Sequence, residues 1–426
     1  QRQFEEASQV SDLSHYLELE KSNESGPEHT IVYVNELSQN ETLADYEDLS
    51  VVGLSIRSGR NTTSIAQLRL YTPEGSKVTK LNDSNALGAS NLFSDLVFYL
   101  LRNESQGLGK SVPEDIIDTA SLVSTGNFFK ANHIFYDGVL DSPTNIRSFL
   151  SDTAPLLLCN FVVKNGKFGL QPALPTDGSG NISTGAISVD QIFTAGNIID
   201  GSFQLNFIDA DQRQNFKAVV RYRLQAPYDL TQERSVFVEW ADLPKSSPTI
   251  GQEEYDLTPF CTNREQALKT ARFLMSLRRY VDHTITFQTS PDGLGIGPGS
   301  YIRVYLQSLA YSSASNGVID AEGGITSVNP LADGDYAVFA YRAGDDAPVS
   351  RTLTIFAGAT TQSELFNSIY SLEQAELTSR IYQVEQVSLN EDSICQVSAT
   401  VVPTTNAEAS QIAVDVVTAA NFTVLE

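Results

Sequence analysis

The sequence predicts an α+β, multidomain and β-rich protein, and three observations predict it. The chain has 426 residues, more than one ordinary core accommodates, so several domains are expected. Short runs of alternating apolar and polar residues recur with turn residues between them, roughly every ten positions, which is the pattern of small barrels or sandwiches. Two stretches, 86–150 and 264–281, switch instead to helical spacing. Hydrophobic residues make up 41% of the chain and charged residues 19%; the first figure is enough to bury real cores.

Charge excludes one large class of function. The formal net charge is −24, and a nucleic-acid ligand needs clustered Lys and Arg on its phosphates. Such acidity keeps a protein soluble, or makes a surface past which another polyanion slides. The three cysteines, Cys159, Cys261 and Cys395, form no C-x-x-C pair, so neither a zinc site nor a disulfide framework is indicated. Cys159, inside an apolar run, reads as a small buried hydrophobe. No apolar run approaches the ~20 residues of a membrane span. Residue 1 is Gln and Met275 is the only methionine, so the expectation is an internal or processed N-terminus.

In order, residues 1–30 are polar, acidic and without sustained period, and read as an extension. Residues 31–34 (IVYV), 49–56 (LSVVGLSI) and 66–71 (AQLRLY) read as strands of a first small barrel or sandwich, 31–82. A compact α+β domain, 83–176, follows. Leu92, Leu96, Tyr99 and Leu100 place a helix over 86–102, with Ser90 or Asn91 as cap. Pro113 opens a second helix at its first turn. Residues 135–140 (FYDGVL) read as a strand and 142–150 as the start of a third helix. Asn165-Gly166 between apolar runs is the strongest short-range hairpin signal. Residues 177–262 are a Gly/Ser-rich linker and a β segment with strands at 201–207, 218–223 and 235–240.

The strongest local signals lie in 255–306. Thr262-Asn263-Arg264-Glu265 reads as a capping box, and Ala267, Ala271, Leu274, Arg278 and Val281 carry helical spacing. Arg278 and Arg279 fall in the last turn, where positive charge complements the helix dipole. From Thr284 the period becomes two, and a glycine-rich turn at 293–299 leads to a strand at 301–306. This unit begins the domain 263–403, whose later strands are 334–341, 381–387 and 394–402; 365–372 reads as a short helix. The pattern fades over 404–426, a C-terminal extension.

Catalytic chemistry is not advertised. The four histidines stand at no metal-ligand spacing, and His283, at the helix-to-strand junction, reads as structural. No nucleophile elbow, Walker loop or dinucleotide fingerprint occurs. The glycines at 293–299 precede a strand, whereas a phosphate cradle needs a helix N-terminus behind them. Asp209, Asp211 and Asp242 read as solvated carboxylates. No enzyme activity and no cofactor are expected.

In sum, these segments are similar to the phage tail-tip attachment family, the host-specificity protein J family and its baseplate-hub relatives. The resemblance rests on residues 46–57 (YEDLSVVGLSIR), on 91–109 with its closing Gly-Leu-Gly, on Phe135-Tyr136-Asp137-Gly138-Val139-Leu140 followed by a helix, and on Asn165-Gly166-Lys167. It is closest from Arg264 through Arg278-Arg279 to Pro298-Gly299-Ser300, where the family has Pro-Gly-Asp, and it ends with 380–384 and 397–400. The order of these segments over 30–402 carries it.

The resemblance implies two small β-barrel-like hub domains plus an inserted α+β domain, and a homotrimer at the distal end of the tail tube. The implied partners are other tail proteins (distal tail protein, tail tube, fibres or tape measure), with DNA only passing through the lumen. It implies a virion protein of the tail tip; the alternative is a receptor-binding adhesin that contacts the host directly. Arg264, Arg272, Arg278 and Arg279 stand out in so acidic a chain. They read equally as solvated helix charges or as inter-subunit contacts.

Overall fold

The computed structural model describes residues 17–21, 52–56, 77–104, 107–140, 144–194, 196–209, 211–224, 232–243, 250–305, 316–327, 331–342, 345, 347–372, 380–390 and 394–425. The chain forms two compact units, 1–73 and 74–426. In the first, β1 (Leu17–Lys21) pairs antiparallel with β2 (Val52–Ile56), Leu17 opposite Ile56. The strand expected at 49–56 is thus present as β2, while those expected at 31–34 and 66–71 lie outside the described residues. Leu17-Glu18-Leu19-Glu20 alternates with period two, a strand signal hidden by the acidic composition around it.

The second unit is β-rich, with several sheets and few helices. It starts with a short hairpin, β3 (Val78–Lys80) and β4 (Ala86–Gly88), and then α1 (Phe93–Arg102). The helix expected over 86–102 loses its first turns to β4. Ser90 does not cap it through a free amide of the first turn. Its hydroxyl donates to buried Asp95 (2.6 Å), and Asp95 accepts the Leu81 amide (3.0 Å), tying helix to hairpin. The helix expected at Pro113 is only a single 3-10 turn, Glu114–Ile116. Next come α2 (Thr119–Asn132), capped by Asp118, and α3 (Ile146–Thr153), capped by Asn145.

Phe93, Phe128, Phe129 and Leu122 form the centre of this block, all 1% exposed or less. Phe93 lies 5.7 Å from the Tyr136 ring and 6.2 Å from Phe149. The hairpin β5 (Cys159–Lys164) and β6 (Lys167–Pro172) turns at Asn165 and Gly166, whose φ of 51° and 76° are the left-handed values such a turn requires. Residues 135–140, expected as a strand, join no sheet. They are pinned one group at a time: Gln266 brackets Phe135 through its amide and carbonyl (3.0 and 2.8 Å), and Asp137 donates its amide to the Phe260 carbonyl.

Three larger sheets follow. β7 (Gln191–Thr194), β8 (Gln204–Phe207), β12 (His283–Thr289), β13 (Tyr301–Tyr305), β19 (Ile381–Leu389) and β20 (Cys395–Val402) form a six-stranded sheet in the order β7-β13-β19-β20-β12-β8. The strands flanking the glycine-rich turn are therefore not partners: β19 and β20 lie between them. On β12 the buried residues are His283, Ile285, Phe287 and Thr289, so the alternation is the burial pattern. β9 (Phe216–Arg223), β10 (Glu233–Trp240), β11 (Gly251–Asp256) and β21 (Phe422–Leu425) form a four-stranded sheet in the order β11-β9-β10-β21.

The third sheet, β15-β14-β18-β16-β17, is made of β14 (Asn316–Ile319), β15 (Ile325–Ser327), β16 (Gly334–Arg342), β17 (Val349–Ile355) and β18 (Ser368–Leu372), and has its own core around Tyr370, Leu353 and Val338. The helix expected over 365–372 is a 3-10 turn at Ser363–Leu365 followed by β18; Ile369 and Tyr370 are residues that a strand accommodates well. Among the described residues no sheet closes into a barrel.

The helix α4 (Arg264–Tyr280) packs on β9, β10 and α5 (Gln411–Thr418). Its cap is Asn263, whose side chain accepts from the Glu265 amide at 2.9 Å. Thr262, the expected cap, gives its hydroxyl to Asp137 instead (2.6 Å). The fading pattern at the C-terminus also proves structured: α5 buries Ile412, Ala413 and Val416, and β21 completes the four-stranded sheet. α5 spans eight residues, little more than two turns, too short to show a helical period. Phe93→Ala should cost about 3–5 kcal/mol of stability, because it empties the centre of the aromatic cluster; denaturant unfolding of the variant checks it.

Candidate inter-subunit surface

The four arginines expected at a subunit boundary occupy different surroundings. Arg278 and Arg279, at the end of α4, reach in different directions over the four-stranded sheet. The Arg278 guanidinium lies 4.4 Å from the centre of the Phe216 ring on β9 and pairs with Glu253 on β11. Arg279 lies 4.2 Å over Trp240 at the end of β10 and grips Asp242 with both terminal nitrogens, at 3.0 and 2.5 Å. The Asp242 hydrogen bonds raise the pKa of Arg279, and Arg279 in turn lowers that of Asp242. Asp242 is thus an ion-pair partner, where the sequence suggested a solvated carboxylate.

Arg272 is half-buried. One terminal nitrogen is 3.5 Å from the Val416 carbonyl at the end of α5, and its Nε is buried without a hydrogen-bond partner. Burial lowers its pKa. Arg264, at the first position of the helix, is exposed beside Glu265 at 3.7 Å. Nearby, Lys269 donates to the Asn132 carbonyl at 2.7 Å, and burial lowers its pKa.

Several residues that complete this surface were not singled out in the sequence. Trp240 is 1% exposed and is the meeting point: its ring centre is 4.4 Å from Phe422 of β21 and 5.8 Å, edge-on, from Tyr280 of α4. Asp415 of α5, also 1% exposed, accepts from Gln411 and Asn421 (both 2.8 Å) and from the Ser276 hydroxyl of α4 (3.3 Å). As the only tryptophan, Trp240 was the available signal. Nothing in the sequence marks Asp415, whose neutral donors include Ser276 of α4, Gln411 of its own helix and Asn421 beyond it.

His283 is structural in its setting. Its Nδ1 lies 2.6 Å from Asp282 and its Nε2 3.0 Å from the Tyr382 hydroxyl; a neutral ring that donates to the carboxylate accepts from the phenol. Burial lowers its pKa against the pull of Asp282, and Arg380, 3.2 Å from Nδ1, adds to the lowering. Burial also pushes the Tyr382 phenol up to about 12. The three cysteines are free and buried, and burial raises Cys261 to about 11.

Cavities open among the described residues. One of about 350 Å³ is lined by Asp200, Ser202, Gln204, Thr286, Gln288 and Gln396, and one of about 720 Å³ lies between the six- and five-stranded sheets near Ile198, Val318, Asp320 and Ile369. Each has one carboxylate in its lining. Among the described residues no group of three or more His, Cys, Asp or Glu is placed to hold a metal ion.

Replacing Arg279 by Met keeps the stem and removes the charge, and should cost about 1–2 kcal/mol. A double-mutant cycle with Asp242→Asn should return no more than about 1 kcal/mol of that, because Asp242 faces solvent. The histidine gives a second prediction. Because its folded pKa is lowered, the unfolded chain takes up the proton first as pH falls through the ordinary value of 6.5. Stability should therefore fall from there until the folded form is itself protonated. Denaturant midpoints for the parent and His283→Gln, measured from pH 8 to pH 5, should differ in slope across that window; parallel curves would remove the histidine from the account.

No protein-family model matches the chain, and no curated protein matches it. Among solved structures it is similar to a chain of the virion of a native gene transfer agent (GTA) particle, with 13% identity and a TM-score of 0.43 over 91% of this chain and 72% of that one. It is similar to the tail protein from Neisseria meningitidis MC58, with 9% identity and a TM-score of 0.28 over 62% of this chain and 56% of that one. It is also similar to the prophage MuSo2 43 kDa tail protein from Shewanella oneidensis, with 8% identity and a TM-score of 0.25, again over 62% and 56%.

Proposed function

We propose that the chain is a structural phage virion protein forming the central tail-tip or baseplate hub, which closes the tail tube and connects it to host-attachment components. The observation that carries this reading is the bracing of α4. One helix is fixed to three strands of a sheet by Arg278 and Arg279, to α5 by Asp415, and to the α+β block by Gln266 and Lys269. Such a body holds a set geometry between its parts, as a connecting piece of a particle must. The ordered motifs over 30–402 support the same reading.

A trimer, two barrel-like domains within 31–82 and 263–403, and neighbours among the tail proteins belong to this proposal. Under it the net charge of −24 acquires a use, since a negative lumen lets DNA pass without sticking.

Antibody raised against the 426-residue protein should decorate virions at the distal end of the tail; label confined to capsids or absent from particles would sink the reading. Binding of the isolated protein to host cells would favour the adhesin instead. Of the four arginines, Arg264 is the clean probe of a subunit contact, because Arg278 and Arg279 are engaged within the chain. Arg264→Glu should weaken assembly while changing stability by no more than about 0.5 kcal/mol; unchanged assembly would make it a solvated helix charge.

A further inference from the structure

Among the described residues the four-stranded sheet ends in two unpaired edge strands of different character. β11, at one edge, is Gly251-Gln252-Glu253-Glu254-Tyr255-Asp256, and β21, at the other, is Phe422-Thr423-Val424-Leu425. Charged residues on an edge strand normally guard it against pairing with another chain, and an uncharged apolar edge is the kind that pairs. β21 carries no charge, its four residues are half-buried or exposed, and Leu425 stands beside Phe237 on the sheet's outer face, each 39% exposed. On β11 the guard is cancelled in place: Glu253 pairs with Arg278 and Glu254 with Arg221.

The backbone is equally informative. Ala241 donates to the Asn421 carbonyl at 2.9 Å, so by antiparallel alternation Thr423 and Leu425 face β10, and the amide and carbonyl of Val424 face the open edge. Leu257 donates to the Arg221 carbonyl, so along β11 the groups of Gln252 and Glu254 face outward. β11 runs parallel to β9, β9 antiparallel to β10, and β10 antiparallel to β21. β21 and β11 therefore point the same way, and rotation of one copy about an axis running along the strands preserves that direction.

We propose that these edges are the two halves of one subunit joint: β21 of one copy takes β11 of a second copy in parallel, continuing the sheet from copy to copy. The contact is head-to-tail, so it cannot make a two-fold pair and builds a ring where the rotation between copies closes. It deepens the assembly reading and rests on it, naming the surface and the partner strand. The joint adds no uncompensated glutamate, which matters between copies that are each strongly acidic.

Proline at an outward-facing position removes the pairing amide and leaves the inward ladder intact. Val424→Pro and Gln252→Pro, each in the whole protein, should unfold at the parent's denaturant midpoint and associate at least about tenfold more weakly, the equivalent of one lost hydrogen bond at the joint. Thr423→Pro, which removes an inward amide, should instead lower the unfolding midpoint. An equimolar mixture of Val424→Pro and Gln252→Pro should form dimers and nothing larger, because each variant keeps the edge the other lacks.

Sedimentation velocity over a wide concentration range reads the association states, and denaturant unfolding reads the midpoints. A parent that stays monomeric throughout, or prolines that assemble as the parent does, would overturn the joint. So would mixed variants that remain monomers. Assembly that survives both prolines leaves the tail reading standing with another interface; loss of particle labelling by the antibody would remove that reading whatever the prolines do.

Discussion

The second unit depends on two consecutive arginines at the end of one helix. Successive positions on a helix point about 100° apart, so Arg278 and Arg279 cannot serve the same partner. Arg278 covers Phe216 and meets Glu253, while Arg279 covers Trp240 and meets Asp242. One turn of helix thereby fixes β9, β10 and β11 relative to itself. Both guanidinium centres lie over rings, so each cation is held by packing as well as by charge, and a lysine would supply neither the planar group nor the fork.

That arrangement sets what the rest of the chain must provide. Trp240 offers its face to Arg279 and another side to Phe422, so the last strand is packed by the same ring that receives the helix. Asp415 completes the closure from the other side, holding Ser276 of α4 together with Asn421, the residue just before β21. A carboxylate 1% exposed is costly to bury unless its oxygens are satisfied; here the donors come from α4, from α5 itself and from the turn after it. The C-terminal helix and strand are therefore integral to the sheet, although in sequence they look like a tail.

Much of this was legible beforehand, for identifiable reasons. α4 was readable because it is long and its apolar residues repeat. The β5–β6 hairpin was readable because Asn165-Gly166 suits left-handed backbone, and β12 because half of its residues are buried in strict alternation. What escaped was short or held from afar. The segment at Phe135 is fixed by Gln266, more than a hundred positions away, and Asn263 rather than Thr262 caps α4 because Asp137 claims the threonine. The arginines were visible as a charge anomaly, but their partners Phe216, Trp240 and Glu253 lie on three strands, and Asp242 in the turn after one of them, which sequence spacing cannot bring together.

The same device recurs where the five-stranded sheet meets the six-stranded one. Arg303 of β13, 5% exposed, lies 4.9 Å from the Phe339 ring of β16 and pairs with Glu408 at 2.5 Å. A chain with 52 acidic and 28 basic residues has few cations to place, and here they close seams: helix to sheet at Arg278 and Arg279, sheet to sheet at Arg303. A half-buried cation on a ring is screened by salt far less than a surface pair. The arginines set on rings thus hold helix and sheets in register within a chain whose acidic groups outnumber its basic ones.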